Sequence, residues 1–135
     1  MRRAVIDTNC LLASHNRNSP FHRLYELFVS ETFEWILSNE ILTEYEEVLT
    51  QQYSAATAQR ITEILLNAPS TSFQEAYYKW QLAEADPDGN KFVDVAIAAN
   101  ADYLVTNDRH FEVLSQLEFS RVPVVSLREF LSSFR

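Results

Sequence analysis

The sequence predicts an α/β domain with a parallel sheet covered by helices on both faces. Short apolar runs of strand length alternate with longer stretches whose apolar positions recur at helical spacing. No long gap separates them, as expected where helices connect parallel strands. The 135 residues contain no repeat and no linker rich in glycine, serine or proline, so residues 1 to 135 are predicted to form one domain.

The first half of the chain predicts two strands and three helices. Residues 3 to 7 form an apolar run that ends in Asp7, which predicts a buried strand followed by a loop through the polar residues 15 to 20. A helix is predicted over 21 to 29, and a strand over 33 to 37. Ser38 and Asn39 are capping residues for the next helix, whose apolar stripe comprises Ile41, Leu42, Tyr45, Val48 and Leu49. A further helix is predicted over 55 to 67, ahead of Pro69.

In the second half, residues 71 to 83 are ambiguous between a short strand and a turn of helix. Small and aliphatic residues predict a helix over 92 to 99, ended by Asn100 in a left-handed conformation. A strand over 103 to 106, a short helix over 111 to 117, a last strand over 122 to 125 and a closing helix over 127 to 134 complete the predicted fold.

Composition narrows the possible functions. Nineteen acidic and eleven basic residues give a net charge of -8, which argues against a broad basic face for duplex binding. The single cysteine rules out an internal disulfide and a multi-cysteine zinc site. No signal-peptide core or membrane-spanning run is present, so we expect a soluble cytoplasmic protein with no membrane partner.

Four carboxylates are expected at the edge of the sheet where ligands bind, outside the carboxyl ends of the strands. Asp7 and Asp108 follow two strands that we take as neighbours, while Glu44 and Asp94 lie in the first turns of helices at that edge. Four such charges in a cleft must be protonated, solvated or neutralised by a cation. One or two divalent cations bound by these carboxylates could activate water for the hydrolysis of a phosphodiester bond. A metal-dependent nuclease is therefore predicted.

Each of these acids also has a structural interpretation. Asp7 could cap a turn, Glu44 could be one solvated charge among several on its helix, and Asp108 could form an Asx turn. Asp94 is the strongest single candidate, because it lies between apolar residues where an unpartnered carboxylate is costly. Asp86 and Asp88 fit a plain turn. A calcium loop starting at Asp86 fails, since Lys91 replaces the required glycine and Ile97 the bidentate glutamate.

Several polar residues are candidates for supporting roles. Lys91 is either solvated or the internal counter-ion of the carboxylates. The residues that could orient carboxylates or a metal-bound water, or could simply form turns, are Thr8, Asn9, Thr106 and Asn107. Arg17 and Arg109 could contact RNA phosphates, although solvated charges are the default. The three histidines lack the spacing of a zinc helix, so surface roles are favoured for them.

Five segments together resemble the acidic motifs of the PIN-domain family, in order and over nearly the whole chain. They are VIDTN at 5 to 9, SNEILTEY at 38 to 45, DPDGNKFVD at 86 to 94, AIAANADYLVTND at 96 to 108 and RHF at 109 to 111. The branch most similar is that of VapC-type toxins of bacterial toxin-antitoxin systems. The resemblance implies a Rossmann-like, three-layer α/β/α fold with a central, mostly parallel sheet of about five strands.

The resemblance further implies a divalent-metal-dependent endoribonuclease that uses Mg²⁺ or Mn²⁺ on single-stranded RNA and is neutralised by a cognate antitoxin. The family's acidic quartet corresponds to Asp7, Glu44, Asp94 and Asp108, and Asp88 stands where an additional acid able to assist or replace Asp94 is common. A homodimer is also expected, from the resemblance and from aromatic residues that would serve equally well in the core: Tyr45, Tyr53, Tyr77, Tyr78 and Trp80.

The sequence departs from this branch at Asn100 and Asn107, which replace common glycines, and at Gly89, which replaces a common polar residue. Asparagine tolerates the left-handed conformation that glycine would supply. The alternative function is a non-cleaving PIN-like module that binds RNA or protein. A dinucleotide enzyme is set aside because the single glycine lies far from the first strand. An aspartyl phosphatase is set aside because Asn9 replaces its second acid.

Overall fold

A five-stranded parallel sheet forms the centre of the computed structural model, which describes residues 1–82, 87–109, 111 and 122–134. The strands are β1 (Arg2–Ile6), β2 (Phe33–Leu37), β3 (Thr71–Phe73), β4 (Tyr103–Val105) and β5 (Val124–Val125). Their order is β3-β2-β1-β4-β5, and every neighbouring pair is parallel. With its helices the sheet forms the predicted three-layer α/β/α architecture.

The middle strand, β1, determines where the site lies. It pairs with β2 on one side, where Val5 aligns with Ile36, and with β4 on the other, where Ile6 aligns with Val105. Ala4, Val5 and Ile6 are fully buried, as expected for a strand covered on both faces. Residues that follow β1 and β4 are therefore held next to each other by the sheet.

In the described part of the chain, six α-helices connect and cover the strands. They are α1 (Thr8–His15), α2 (Arg23–Val29), α3 (Asn39–Gln52), α4 (Ala55–Asn67), α5 (Asn90–Ala98) and α6 (Leu127–Ser132), with 3₁₀ turns at Pro20–His22 and Pro87–Gly89. Serine side chains cap three of the helices: Ser38 accepts from the N–H of Ile41, Ser54 from that of Thr57 and Ser126 from that of Glu129.

The predicted loop after the first strand is wrong, because α1 starts immediately at Thr8. The buried face of α1 includes the polar residues Thr8 and Ser14 beside Cys10 and Leu11, while Leu12 is only partly buried. Polar and apolar residues are thus mixed on both faces, and the sequence shows almost no amphipathic period.

Other boundaries agree more closely. The helix predicted over 55 to 67 and the strand over 33 to 37 are confirmed at both ends. Of the ambiguous segment 71 to 83, residues 71 to 73 form β3, and 74 to 82 contain no regular element. The helix predicted over 111 to 117 falls almost wholly outside the described residues, as does Asp86.

The core lies on both sides of β1 and β2. Its largest buried side chains are Trp35, Tyr45, Phe28, Phe33, Phe92, Phe111 and Phe130. Within the part of the chain that the structure describes, no helix is both long and apolar enough to cross a bilayer.

Candidate active site

The strand order places the candidate site at the switch point of the sheet. The chain proceeds from β1 to β2 and β3 on one side, and then returns to put β4 on the other side of β1. A crevice opens between two neighbouring strands whose following connections run to opposite sides of the sheet. Open parallel sheets bind ligands in this crevice. Asp7 directly follows β1, and Asp108 lies three residues after Val105, the last residue of β4. Both carboxylates therefore border this crevice.

A threonine hydroxyl joins the two strand ends. Thr106 Oγ1 donates a hydrogen bond of 2.8 Å to Asp7 Oδ2 and accepts one of 3.1 Å from the backbone N–H of Asp108. The backbone N–H of Asp7 donates to the carbonyl of Val105 at 2.9 Å. Thr106 is itself only 4% exposed, so this connection is shielded from water.

Asp7 is held in an environment that disfavours its negative charge. Burial raises the pKa of Asp7 above its usual value, and the charges of Glu44 and Asp108 raise it further. The hydrogen bond from Thr106 and one from the backbone of Thr8 act in the opposite direction, but they do not cancel the rise. The site therefore concentrates negative charge that a cation would stabilise.

Glu44 enters the same crevice from α3 with both carboxylate oxygens engaged. Thr8 Oγ1 donates a short hydrogen bond to Glu44 Oε2, and Lys91 Nζ forms a 2.8 Å ion pair with Glu44 Oε1. Lys91 also donates to the carbonyl of Asp88 at 2.5 Å. The structure thus places Lys91 as an internal counter-ion rather than as a solvated lysine.

The groups that act on Asp94 differ from those that act on Asp7, and the shared pocket for four acids stays a prediction. The side chain of Asp94 is buried, and its Oδ1 accepts a 3.1 Å hydrogen bond from the backbone N–H of Trp80. Burial raises the pKa of Asp94; Glu40 adds to the rise, and Lys79 opposes it. Asp94 lies on α5, which follows the 3₁₀ turn at Pro87–Gly89, and it lines a pocket with Glu40 and Lys91.

Glu40 is the residue that the sequence analysis missed. It lines one pocket with Asp88, Lys91 and Asp94, and it lines another with Glu44, Asp88 and Lys91. Glu40 and Glu44 are four residues apart, one turn of α3, and therefore share a helix face. This four-residue spacing of two glutamates on a predicted helix is the sequence signal that could have identified Glu40. Glu44 lies near Asp7 and Glu40 lies near Asp94, so this acidic face of α3, together with Lys91, links the two aspartates.

The donors around Asp7 fit a hard divalent cation. Within the described part of the chain, no three histidine, cysteine, aspartate or glutamate side chains lie close enough together to form a metal-binding group. Mg²⁺ nevertheless takes one or two carboxylates and completes its shell with water. Asp7, Glu44 and Asp108 supply carboxylate oxygen in a site where burial, and after it the charges of Glu44 and Asp108, raise the pKa of Asp7. Burial, followed by the charge of Asp7, raises the pKa of Cys10 to about 12, so this neighbouring thiol stays protonated.

Two of the remaining candidates lie beside the acids, and a third does not. Asn9 is exposed on the first turn of α1, and Arg109 is exposed beside Asp108. Arg17 lies in the loop after α1, away from the carboxylates, and lines a separate pocket.

The two asparagines at glycine positions behave differently. Asn100 has a φ of 51°, which confirms the left-handed ending of α5. Asn107 is not among the described residues with positive φ. Its side-chain oxygen instead accepts a 3.0 Å hydrogen bond from the backbone N–H of Leu127, which ties the end of β4 to α6.

Comparisons with known proteins agree with this architecture. A chain in the crystal structure of VapBC2 from Rickettsia felis bound to a DNA fragment from their promoter superposes with a TM-score of 0.61 and 17% identity, covering 92% of the present chain and 98% of that chain. No curated protein sequence matches. The family model for the PIN domain matches residues 3–110, which is most of the chain. The chain therefore belongs to the PIN-domain family, whose members are nucleases.

Proposed function

We propose that the protein is a divalent-metal-dependent endoribonuclease that hydrolyses phosphodiester bonds in single-stranded RNA, and that it acts as the toxin of a toxin-antitoxin system. The observation that carries the proposal is the half-buried carboxylate group at the switch point. Asp7 and Asp108 are joined there through Thr106, and burial, followed by the charges of Glu44 and Asp108, raises the pKa of Asp7. A chain of the PIN family has a direct use for such a group.

Asp7 and Asp108 would hold the ion, and Glu44 would act on it through a bound water. The ion's chemistry, when bound, would be to activate a water molecule and to neutralise charge that develops on the phosphate. Mg²⁺ and Mn²⁺ both suit these oxygen donors. Asp94, with Asp88 and Glu40 in the adjoining pocket, would bind a second ion or position a water.

The protein's own polar side chains keep these carboxylates in place. Thr106 orients Asp7, and Thr8 and Lys91 each hold one oxygen of Glu44. Lys91 also brings positive charge to the edge of the crevice, where a phosphate would approach. Asn9 and Arg109, both exposed next to the site, would contact the strand being cut.

A single strand suits this site better than a duplex. A net charge of -8 leaves little basic surface for tracking two phosphate backbones. A single strand needs only local contacts, and its bases can be turned out toward side chains. Discrimination of RNA from DNA would come from the 2′-hydroxyl, so both polymers belong in the test.

The toxin role is supported by the likeness in fold to a chain of VapBC2, a complex whose crystal structure contains promoter DNA. The corresponding partner here would be a small antitoxin that covers the crevice. Expression of the wild-type chain should arrest growth of a bacterial host, and Asp7→Asn should not. Co-expression with the protein encoded next to it should restore growth. Arrest by both the wild type and Asp7→Asn would contradict the nuclease mechanism.

A homodimer completes the proposal. The irregular segment 74 to 82 exposes Tyr77 by 94%, Tyr78 by 66% and Trp80 by 37%, and rings of this size are enriched at interfaces. Tyr45, in contrast, is fully buried, and its hydroxyl donates a hydrogen bond to the carbonyl of Ile6, so it belongs to the core. Light scattering of the wild type and of Tyr77→Ser/Tyr78→Ser tests the dimer, which the double variant should weaken.

The deciding experiment is cleavage of matched single-stranded RNA and DNA in Mg²⁺, in Mn²⁺ and in EDTA. We expect cleavage of RNA that requires metal, with a loss of at least about a hundredfold in Asp7→Asn and Glu44→Gln. Glu46→Gln is the matched control, because Glu46 is an exposed glutamate on the same helix, outside the carboxylate group. RNA binding without cleavage by folded wild type in every metal would instead establish the non-cleaving module.

A further inference from the structure

A second, chemically different pocket lies at the far end of α1 from Asp7. It has a volume of about 280 Å³, and its walls come from α1, the loop after it, the 3₁₀ turn, α2 and α4. The polar side chains that line it include His15, Arg17, His22 and Arg60, and none of the described residues that line it is acidic. In a chain of net charge -8, such a gathering of basic groups is unusual.

Arg17 and Arg60 are the two arginines of this pocket, and their charge is open to a ligand as far as the described residues go. Within the described part of the chain the ion pairs are Arg3 with Glu34 and Lys91 with Glu44, so neither Arg17 nor Arg60 has a carboxylate partner there. Both arginines are exposed at the mouth of the pocket. Guanidinium groups in this state bind phosphate oxygens through paired N–H donors.

The two histidines are held in place inside the pocket. His22 Nδ1 lies 2.9 Å from the carbonyl of Ser14, an arrangement in which Nδ1 carries the proton and donates it. The ring of His15 packs edge-on against Tyr53 at 4.7 Å between centroids. Burial lowers the pKa of His15, and the neighbouring Arg60 and His22 lower it further. His15 is therefore held in its neutral form at neutral pH, and the positive charge of the pocket comes from Arg17 and Arg60.

Aromatic rings accompany these groups. Tyr25 lines the pocket and lies 5.4 Å from the ring of His22, and Tyr53 stands beside His15. Cationic side chains interleaved with aromatic rings are the combination by which proteins grip single-stranded nucleic acid, because the cations follow the backbone while the rings stack on bases. A volume of about 280 Å³ admits part of one nucleotide and excludes a duplex.

We propose that this pocket is a subsite that binds one phosphate group of the single-stranded RNA substrate, through Arg17 and Arg60, at a distance from the bond that is cut. The inference rests on the proposed ribonuclease function. Leu11, Ser14 and His15 of α1 line the pocket, and His15 lies eight residues from Asp7, which is about 12 Å along the helix at a rise of about 1.5 Å per residue. A single strand of a few nucleotides can occupy both sites.

The test is binding of a fluorescein-labelled single-stranded RNA in EDTA, where cleavage is suppressed, at a series of salt concentrations. Arg60→Gln and Arg17→Gln should each weaken binding roughly threefold to tenfold and reduce the slope of log K against log salt by about 0.7, the value for one phosphate contact on a single strand. Arg128→Gln removes the same charge from an exposed position on α6 outside the pocket, and it should bind like the wild type. Circular dichroism checks that each variant is folded.

The outcomes separate the two proposals. If the wild type cleaves RNA and the pocket variants bind with the affinity and salt slope of the wild type, the subsite is refuted and the ribonuclease stands. If the wild type neither binds nor cleaves RNA or DNA, both proposals fall. A labelled acidic peptide measured in parallel covers the rival occupant. Weakened binding of that peptide alone, with RNA unaffected, would assign the pocket to an acidic segment of a partner protein.

Discussion

At the scale of single residues, Thr106 has the most influence on the site for its size. One hydroxyl both donates to Asp7 and accepts from the backbone of Asp108, so it sets the spacing between the two strand ends. Thr106 is buried. If its hydroxyl were removed, water could replace the two hydrogen bonds only by entering the crevice.

Thr106→Val keeps the shape of the side chain and removes its hydroxyl. We expect the free energy of unfolding to fall by roughly 1 to 3 kcal/mol, because the N–H of Asp108 loses its acceptor. The pKa of Asp7 should rise further, since the hydrogen bond from Thr106 lowers it. Nuclease activity should drop about tenfold to a hundredfold, as for other residues that orient a ligand. Thr106→Ser, which keeps the hydroxyl, should retain most activity; equal losses in both variants would contradict this role.

The raised pKa of Asp7 has a defined effect on stability. Because the folded state holds this proton above the usual value of 3.8, it binds more protons than the unfolded state as the pH rises past that value. The free energy of unfolding of the metal-free protein therefore decreases through that interval, and the cost is fully present once the pH exceeds the pKa of Asp7 in the folded state.

Asp7→Asn removes this titration and keeps an oxygen that can accept from Thr106. In EDTA, the variant should gain stability relative to the wild type between pH 4 and pH 7, as measured by urea denaturation. Asp94, whose pKa is also raised, is present in both proteins and cancels in the difference. Glu46→Gln gives the baseline for losing a surface carboxylate. A stability difference that is equal at both pH values would show that Asp7 titrates normally.

At the scale of elements, the turn before α5 depends on its glycine. A Cβ atom built on Gly89 would lie 2.3 Å from Cζ of Phe111, whose ring is 1% exposed. The requirement is for space, since Gly89 has a φ of -77° that any residue adopts. The same turn carries the carbonyl of Asp88, which accepts from Lys91, so the contact with Phe111 supports the site.

Gly89→Ala should therefore lower the free energy of unfolding by roughly 1 to 3 kcal/mol through overpacking. Adding Phe111→Leu removes the ring atom that obstructs the new methyl group. The double variant should then lose less stability than the sum of the two single variants, as measured by chemical denaturation. Strict additivity would mean that the methyl group and the ring do not meet.

The elements also show what sequence can and cannot predict. The helix α4 and the strand β2 were predictable to the residue, because a capping serine, a proline and a clear apolar pattern mark their ends. The helix α1 was not, since Thr8 and Ser14 occupy its buried face. Similarly, sequence located Asp7 and Asp108 at strand ends. Only the structure shows that Asp94 lies near Glu40, because this proximity depends on how α5 packs against α3.

At the scale of the whole molecule, charge is distributed unevenly. The acidic face of α3 and the crevice lie at one end of α1, and the basic pocket lies at the other. A chain of net charge -8 is stabilised by any cation through screening of its self-repulsion. A specific metal site must therefore be distinguished from this general effect.

Thermal unfolding in Mg²⁺ and in NaCl at matched ionic strength makes that distinction. Mg²⁺ at about a hundred times its dissociation constant should stabilise the folded state by about 2.7 kcal/mol beyond NaCl, which corresponds to a rise in melting temperature of roughly 5 to 15 °C. Asp7→Asn should lose this excess and keep the general effect of salt, whereas Glu46→Gln should keep both. The excess should also grow from pH 5 to pH 7, because the ion competes with the proton that Asp7 holds. An identical response of the wild type and Asp7→Asn to Mg²⁺ would remove Asp7 from the metal site and leave only screening.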